Sequence, residues 1–167
     1  MPRFAFIVIL VIAAFQLAPA EGVLPRGWRR PTTKEFDAEW RHKDPGNYLR
    51  AKGDFDGDGK EDVAELLVQR HGVSAGLFVW RAENPVALFL VKFDKKWLGR
   101  QGIALVEPGE YRTACGKGYG DWACAHGEPE VLKLQNQAID LFYEESADSI
   151  FYWDATRKTF VRVQMSD

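Results

Sequence analysis

The sequence lacks the features that would link it to a nucleic acid, an anionic membrane or a repeat array. Its 22 lysines and arginines nearly balance its 24 aspartates and glutamates, which gives a formal net charge of -2. A charge this balanced does not favour an anionic polymer or an anionic membrane surface as partner. The chain has no long internal repeat and no low-complexity segment. Its 167 residues are about the length of one domain.

A long apolar run is also missing. The apolar stretch that follows Arg3 extends only from Phe4 to Phe15 and is followed by Ala18-Pro19-Ala20. A membrane span needs about 20 apolar residues, whereas a short apolar core before a small-x-small site is typical of a signal peptide. We therefore predict a signal peptide at 1–20 and a periplasmic or secreted domain at 21–167, with no stable membrane insertion after cleavage. A retained N-terminal anchor is the alternative.

The chain after the signal peptide predicts one short helix and then strands. Thr32 and Glu35 have the spacing of a capping box, and Phe36 and Trp40 would share one face of a helix over 32–43. Runs of apolar and β-branched residues, separated by polar turns, predict strands at 63–69, 76–82, 86–93, 103–107, 130–134, 138–145, 149–154 and 158–164. We predict a mainly β (α+β) single domain: a largely antiparallel curled sheet or sandwich with one short N-terminal helix.

The segment GDFDGDGKEDVAELLV, 53–68, carries the pattern D-x-[DN]-x-[DN]-G-x5-E. Its pattern positions are filled by Asp54, Asp56, Asp58, Gly59, Asp62 and Glu65. Ca²⁺ takes six to eight oxygen ligands, and alternate side chains on a tight loop converge on one point. Without a cation, carboxylates this close would repel one another. The sequence therefore predicts one calcium loop, and the alternative is an acidic turn without a metal.

The flanks of this loop do not favour an EF-hand. The preceding residues 46–53 are poor in helix formers, Glu61 occupies a position that is usually apolar, and the chain has only one such loop. The segment instead resembles the loop-then-strand calcium motif of FG-GAP (integrin-type propeller) repeats over 53–68. A propeller would need several copies, so the resemblance implies the local structure and the metal. The ligands that it implies are Asp54, Asp56, Asp58, the carbonyl of Lys60, Asp62 and water, with Glu65 on the strand as a further candidate.

A second unusual segment, TACGKGYGDWACAHGEPE at 113–130, contains both cysteines. Two nearby cysteines in an exported chain predict a disulfide between Cys115 and Cys124. A glycine-rich loop clipped in this way would present a rigid recognition surface. Its candidate binding residues are Lys117, Tyr119, Asp121, Trp122 and His126. The alternatives are a Cys124–His126 nucleophile pair, a zinc site that uses both cysteines and His126, and plain structural stapling with Trp122 in the core.

These features favour a function in binding, because no catalytic set can be assembled from the sequence. The leading hypothesis is an exported protein with one Ca²⁺, which inhibits or neutralises a protein partner in the cell envelope. The alternative is a calcium-supported hydrolase or a glycan-binding module that acts on envelope glycan or peptide. The hydrolase would use Asp121, His126 or Glu128, and the glycan module would use Tyr119 and Trp122.

Overall fold

The computed structural model describes residues 22–41, 44, 46–118, 124 and 127–166. The predicted signal peptide at 1–20 lies outside the described residues. Within the described ranges, no helix is long and apolar enough to cross a membrane. These ranges form a β-rich domain in which every strand pairing is antiparallel. The predicted fold class is confirmed.

The strands of the described chain are β1 (Trp28–Arg29), β2 (Arg50–Gly53), β3 (Asp62–Gln69), β4 (Ser74–Arg81), β5 (Asn84–Asp94), β6 (Gln101–Val106), β7 (Gly109–Arg112), β8 (Val131–Leu134), β9 (Ala138–Tyr143), β10 (Asp148–Asp154) and β11 (Thr159–Gln164). The helical segments are α1 (Thr33–Phe36), α2 (Ala114–Lys117) and two 3₁₀ turns, Glu39–Arg41 and Lys95–Arg100. All eight predicted strands are present, and no end is displaced by more than two residues.

The strands form three sheets. In the first sheet the order is β1-β3-β4-β5. β1 and β2 both pair with the same edge of β3, β2 at its start and β1 at its end. The second sheet has the order β11-β10-β9-β6, and β7 and β8 form the third. The first and second sheets meet near β2 and β6, where the backbone N–H of Ile103 donates to the carbonyl of Tyr48 at 2.8 Å.

The main core lies between the first and second sheets. Side chains on a strand alternate between its two faces, so Ala64, Leu66 and Val68 of β3 point the same way, toward Ile139 and Leu141 of β9. The opposite face of β3 is also covered, because Leu67 packs with buried residues of β4 and with partly buried residues of the N-terminal segment. Burial on both faces explains why the β3 sequence is almost continuously apolar.

A smaller core lies on the other face of the second sheet. It contains Ile150 of β10 and Val163 of β11, which pack with Leu132 and Leu134 of the third sheet. The β7–β8 pair therefore covers the face of the second sheet that points away from the main core. This arrangement leaves room beside the pair for a cleft.

The N-terminal helix is shorter than predicted. Its single turn ends at Asp37, whose backbone is extended, and a 3₁₀ turn follows. The predicted contact between Thr32 and Glu35 forms, because the Glu35 carboxylate accepts hydrogen bonds from the Thr32 N–H and hydroxyl. Tertiary contacts redirect the chain after this turn: Trp40 donates to the carbonyl of Gly99, and the buried Arg41 donates to carbonyls on two other segments. A helix this short has too little intrinsic stability to resist them.

Candidate metal centre

The acidic loop is the connection of a β-hairpin. Gly53, the last residue of β2, pairs with Asp62, the first residue of β3, and residues 54–61 form the loop between them. Gly57 and Gly59 have φ angles of 79° and 82°, in the left-handed region that favours glycine. The local sequence therefore places its glycines where the tight path of the loop requires them.

Three of the predicted ligands converge on one point. Asp54, Asp56 and Asp58 each offer a carboxylate oxygen, and these oxygens lie within 4.8 Å of one another. The Asp54 carboxylate accepts hydrogen bonds from the N–H groups of Gly57 and Gly59, at 2.8 and 2.9 Å. The loop thus wraps around its first aspartate. Clustered carboxylate oxygens of this kind can hold a hard divalent cation.

Contacts with the rest of the fold fix the start of the loop. Phe55 is fully buried in the main core, although it lies between two of the acidic residues. The side-chain oxygen of Gln137 accepts the N–H of Asp54 at 2.9 Å, across 83 residues of sequence. Because a buried ring and a distant side chain fix the start of the loop, the carboxylates lie on a rigid support.

Asp62 lies beneath the loop and outside the converging group. Its side chain is fully buried, and its two oxygens accept hydrogen bonds from the N–H groups of Phe55 and Ala82, at 3.1 and 2.8 Å. Burial raises the pKa of Asp62 to about 6, although these two hydrogen bonds lower it, and the carboxylates of Asp56 and Asp58 raise it further. Asp62 therefore ties the loop to the β4–β5 turn.

Two cationic side chains lie close to the acidic group. A guanidinium nitrogen of Arg81 is 3.0 Å from a carboxylate oxygen of Asp56, and the same guanidinium stacks over the ring of Trp153 at 4.6 Å. The Lys60 ammonium is 2.6 Å from Glu83 and 3.9 Å from Asp58. These cations offset part of the repulsion among the carboxylates. The role of the Lys60 carbonyl as a ligand stays a prediction.

Glu65, the twelfth residue of the pattern, lies away from the converging carboxylates. Its carboxylate is buried and contacts the guanidinium groups of Arg30 and Arg50, each at 3.2 Å. In a strand, an odd separation in sequence places side chains on opposite faces. Glu65 is three residues beyond Asp62 on β3, so it belongs to the other face of the sheet.

No family model, no curated protein and no solved structure matches this chain.

The predicted disulfide is confirmed. Cys115 and Cys124 are bonded, with their Cα atoms 4.9 Å apart. Cys115 lies on α2, a turn that the sequence analysis did not predict, and Thr113 caps this turn by accepting the N–H of Gly116. Because both thiols are consumed, the alternatives of a Cys124 nucleophile and of a zinc site with two cysteine ligands are wrong.

Five residues of the segment 113–130 were predicted as a recognition surface. Tyr119, Asp121, Trp122 and His126 lie outside the described residues. The fifth, Lys117, donates from its ammonium to the main-chain carbonyl of Met165 at 2.8 Å, and so ties α2 to the end of β11.

Two residues beside the metal centre were missed by the sequence analysis. Arg81 and Gln137 contact the loop from 25 and 83 residues away. A local pattern cannot indicate such partners, because only the pairing of β3 with β4 and the packing of the two sheets bring them there.

Proposed function

We propose that this chain is an exported calcium-binding protein that acts by binding another protein of the cell envelope, which it inhibits or neutralises. The proposal that the protein binds Ca²⁺ is supported by the convergence of the Asp54, Asp56 and Asp58 oxygens within 4.8 Å of one another. The ion would stiffen the hairpin loop, whose base is already held by Phe55 and Gln137. The disulfide supports export, because such bonds persist in oxidising compartments.

Binding is favoured over catalysis by the chemistry of the centre. The loop offers carboxylate oxygens to a cation, and the thiols that could have acted as nucleophiles are paired. The hydrolase and glycan-binding alternatives rest mainly on residues 119–126, and no described contact favours either. A metal-ordered and disulfide-stapled β scaffold suits a preorganised binding surface, because preorganisation reduces the entropy lost on association.

The calcium site is tested by titration of the chelator-treated protein, followed by thermal unfolding and calorimetry. A ligand at 100 times its Kd stabilises the native state by about 2.7 kcal/mol, so we expect the Tm to rise by several degrees as Ca²⁺ reaches millimolar concentration. Mg²⁺ should have a smaller effect, because it demands a more regular octahedral site. An unchanged Tm at millimolar Ca²⁺ would rule out the ordering role.

A pair of variants makes this test specific. Asp58→Asn keeps an oxygen that can accept the N–H of Lys60, as Asp58 does at 2.8 Å, but it removes one negative charge from the cluster. We expect it to abolish most of the calcium-induced rise in Tm. Glu61→Gln is the matched control, since Glu61 is exposed, lies in the same loop and pairs with Lys52 at 2.8 Å. Equal calcium responses in the two variants would contradict the assignment.

The binding function is tested by affinity capture from envelope extract, with and without a chelator. We expect one protein to be retained in stoichiometric amount by the calcium-loaded protein and to be reduced when the chelator or Asp58→Asn is used. Retention of glycan without a protein would favour the glycan-binding alternative. N-terminal sequencing of the purified protein tests export separately, with Glu21 expected as the first residue.

A further inference from the structure

A cleft opens beside the third sheet, far in sequence from the acidic loop. It has a volume of about 360 Å³ and lies between β7, α2 and the face of the second sheet that points away from the main core. Pockets of a few hundred Å³ with a few convergent polar groups are typical of small-molecule sites. Its apolar wall consists of Val106, Ile150 and Met165.

Asp140 of β9 is the unusual residue in this cleft. One of its carboxylate oxygens, Oδ1, is buried and has no hydrogen-bond partner. No described side chain or backbone group donates to either oxygen. A buried acceptor without a donor costs free energy, so this carboxylate is poorly satisfied within the protein itself. Strand β9 places Asp140 in the cleft, because Ile139 and Leu141 on either side of it face the main core and Asp140 must face the other way.

A second carboxylate, that of Asp148, lies on the same face. In the β9–β10 register Asp140 pairs with Ile150, so Asp148 is its diagonal neighbour. Asp148 is held in place by the hydroxyl of Ser166, which donates to its Oδ1. Burial raises the pKa of Asp140 to about 7, and the nearby Asp148 carboxylate adds to this effect.

Two cationic side chains, one on β7 and one on α2, also line the cleft. Arg112 is exposed, and its guanidinium makes no ion pair with a described residue, whereas Lys117 is tied to the carbonyl of Met165. Glu110 also lines the cleft, and it pairs across the third sheet with Lys133 at 2.9 Å. The cleft thus has an acidic, partly buried floor, an apolar wall and a guanidinium on its exposed side.

We propose that this cleft binds a small zwitterionic amine of the amino-acid type. Its ammonium would donate to the unpartnered Asp140 carboxylate beside Asp148, its carboxylate would meet Arg112, and its apolar side chain would lie against Val106 and Ile150. An ammonium offers the Asp140 carboxylate a charged donor, and a charge-assisted hydrogen bond is stronger than a neutral one. The site is separate from the calcium loop, so either proposal can fail without the other.

Three probes of similar shape, L-leucine, leucine methyl ester and 4-methylpentanoate, test the chemistry by calorimetry and by NMR shift mapping, and glucose serves as an uncharged polar probe. We expect saturable binding of leucine and weaker binding of the ester, which keeps only the ammonium. The carboxylate-only and neutral probes should not bind. Affinity for leucine should rise from pH 6 to pH 8, because the ammonium binds the ionised form of Asp140. Absence of leucine binding up to about 10 mM, or carboxylate-only binding of equal strength, would overturn the proposal.

Variants separate the two ends of the ligand. Asp140→Asn should weaken leucine and ester binding about tenfold or more. Arg112→Gln should weaken leucine binding and leave the ester unaffected, since the ester has no carboxylate. Glu39→Gln, at an exposed acidic residue on the 3₁₀ turn, is the control and should change neither. Circular dichroism verifies the fold of each variant. Leucine binding that survives Asp140→Asn unchanged would place the ligand elsewhere and contradict the assignment.

Discussion

Glu65 on β3 and Arg50 on β2 are opposite each other in the strand register, and Nε of Arg50 lies 3.2 Å from Oε1 of Glu65. Arg30 approaches the same carboxylate at 3.2 Å from the N-terminal segment. The glutamate that completes the calcium pattern in the sequence therefore joins β2, β3 and the N-terminal segment through two guanidinium groups. Its position suits a structural role more than a role in metal binding.

This contact predicts that Glu65→Gln separates stability from calcium binding. Removal of a buried charge that is paired with two arginines should lower the free energy of unfolding by about 1–3 kcal/mol, because the arginines lose a desolvated partner. Calcium affinity should stay within about twofold of the parent value. Urea unfolding measures the first effect and calorimetric titration the second. A tenfold loss of calcium affinity would show that Glu65 is a ligand after all.

Asp140 predicts a pH dependence of stability. Its pKa in the folded protein is about 7, against an ordinary value of 3.8. Between these values the folded chain binds more protons than the unfolded chain, so the free energy of unfolding falls as pH rises from about 4 to about 7, by at most about 1.4 kcal/mol per pH unit for one proton. Asp140→Asn cannot ionise, and it should lose less stability than the parent between pH 5 and pH 8 in urea unfolding.

The comparison with the parent is needed because Asp62 also has a raised pKa, of about 6, and contributes a loss in the same direction. Only the difference between Asp140→Asn and the parent isolates Asp140. Parallel stability curves for the two proteins across this range would contradict the prediction.

The disulfide predicts a defined loss on reduction. Cys115 and Cys124 are separated by nine positions, and a loop of this size is expected to contribute about 2.5 kcal/mol through the entropy of the unfolded chain. The double variant Cys115→Ser with Cys124→Ser should therefore show a free energy of unfolding lower by that amount, measured by urea unfolding without reductant. Added reductant should destabilise the parent and leave the double variant unchanged, and sensitivity of the variant to reductant would count against this explanation.

Two glycines of the same turn predict different costs for alanine. A Cβ atom on Gly116 would overlap the backbone carbonyl of Glu130, which cannot move without disturbing the third sheet. Gly118 has open space around it but a φ of 70°. Gly116→Ala should therefore cost about 3 kcal/mol and Gly118→Ala about 1 kcal/mol of unfolding free energy. Thermal or urea unfolding would measure both, and equal costs would show that α2 can shift away from β8.

The predicted strands were those with strong local signals. The strands that the sequence analysis missed, β1, β2 and β7, have two to four residues each. Unlike the equally short β8, with the sequence VLKL, they contain no run of apolar residues that would indicate a strand. β2, with the sequence RAKG, becomes a strand because β3 offers an edge for it to pair with. The helix at 32–43 was predicted too long, because its local sequence pattern continues past the point at which tertiary contacts redirect the chain.

In the candidate metal centre, too, part of the geometry follows from the local sequence and part from the strand that comes after it. The spacing of Asp54, Asp56 and Asp58 on a glycine-containing loop determined their convergence, because all three depend on the local path of the chain. The positions of Asp62 and Glu65, in contrast, depend on β3, the strand that follows the loop. Because β3 begins at Asp62, the Asp62 carboxylate lies beneath the loop and the Glu65 carboxylate lies on the opposite face of the sheet.

The sequence by itself determined the mainly β architecture, the disulfide and the acidic loop, because alternation, cysteine proximity and turn spacing are local properties. Only the tertiary structure decided which groups come to the loop from a distance, Arg81 and Gln137, and which face of β3 carries Glu65. It alone also placed Asp140 in a cleft without a donor. The reason is that strand register and sheet packing bring together residues far apart in sequence, whose proximity no local pattern records.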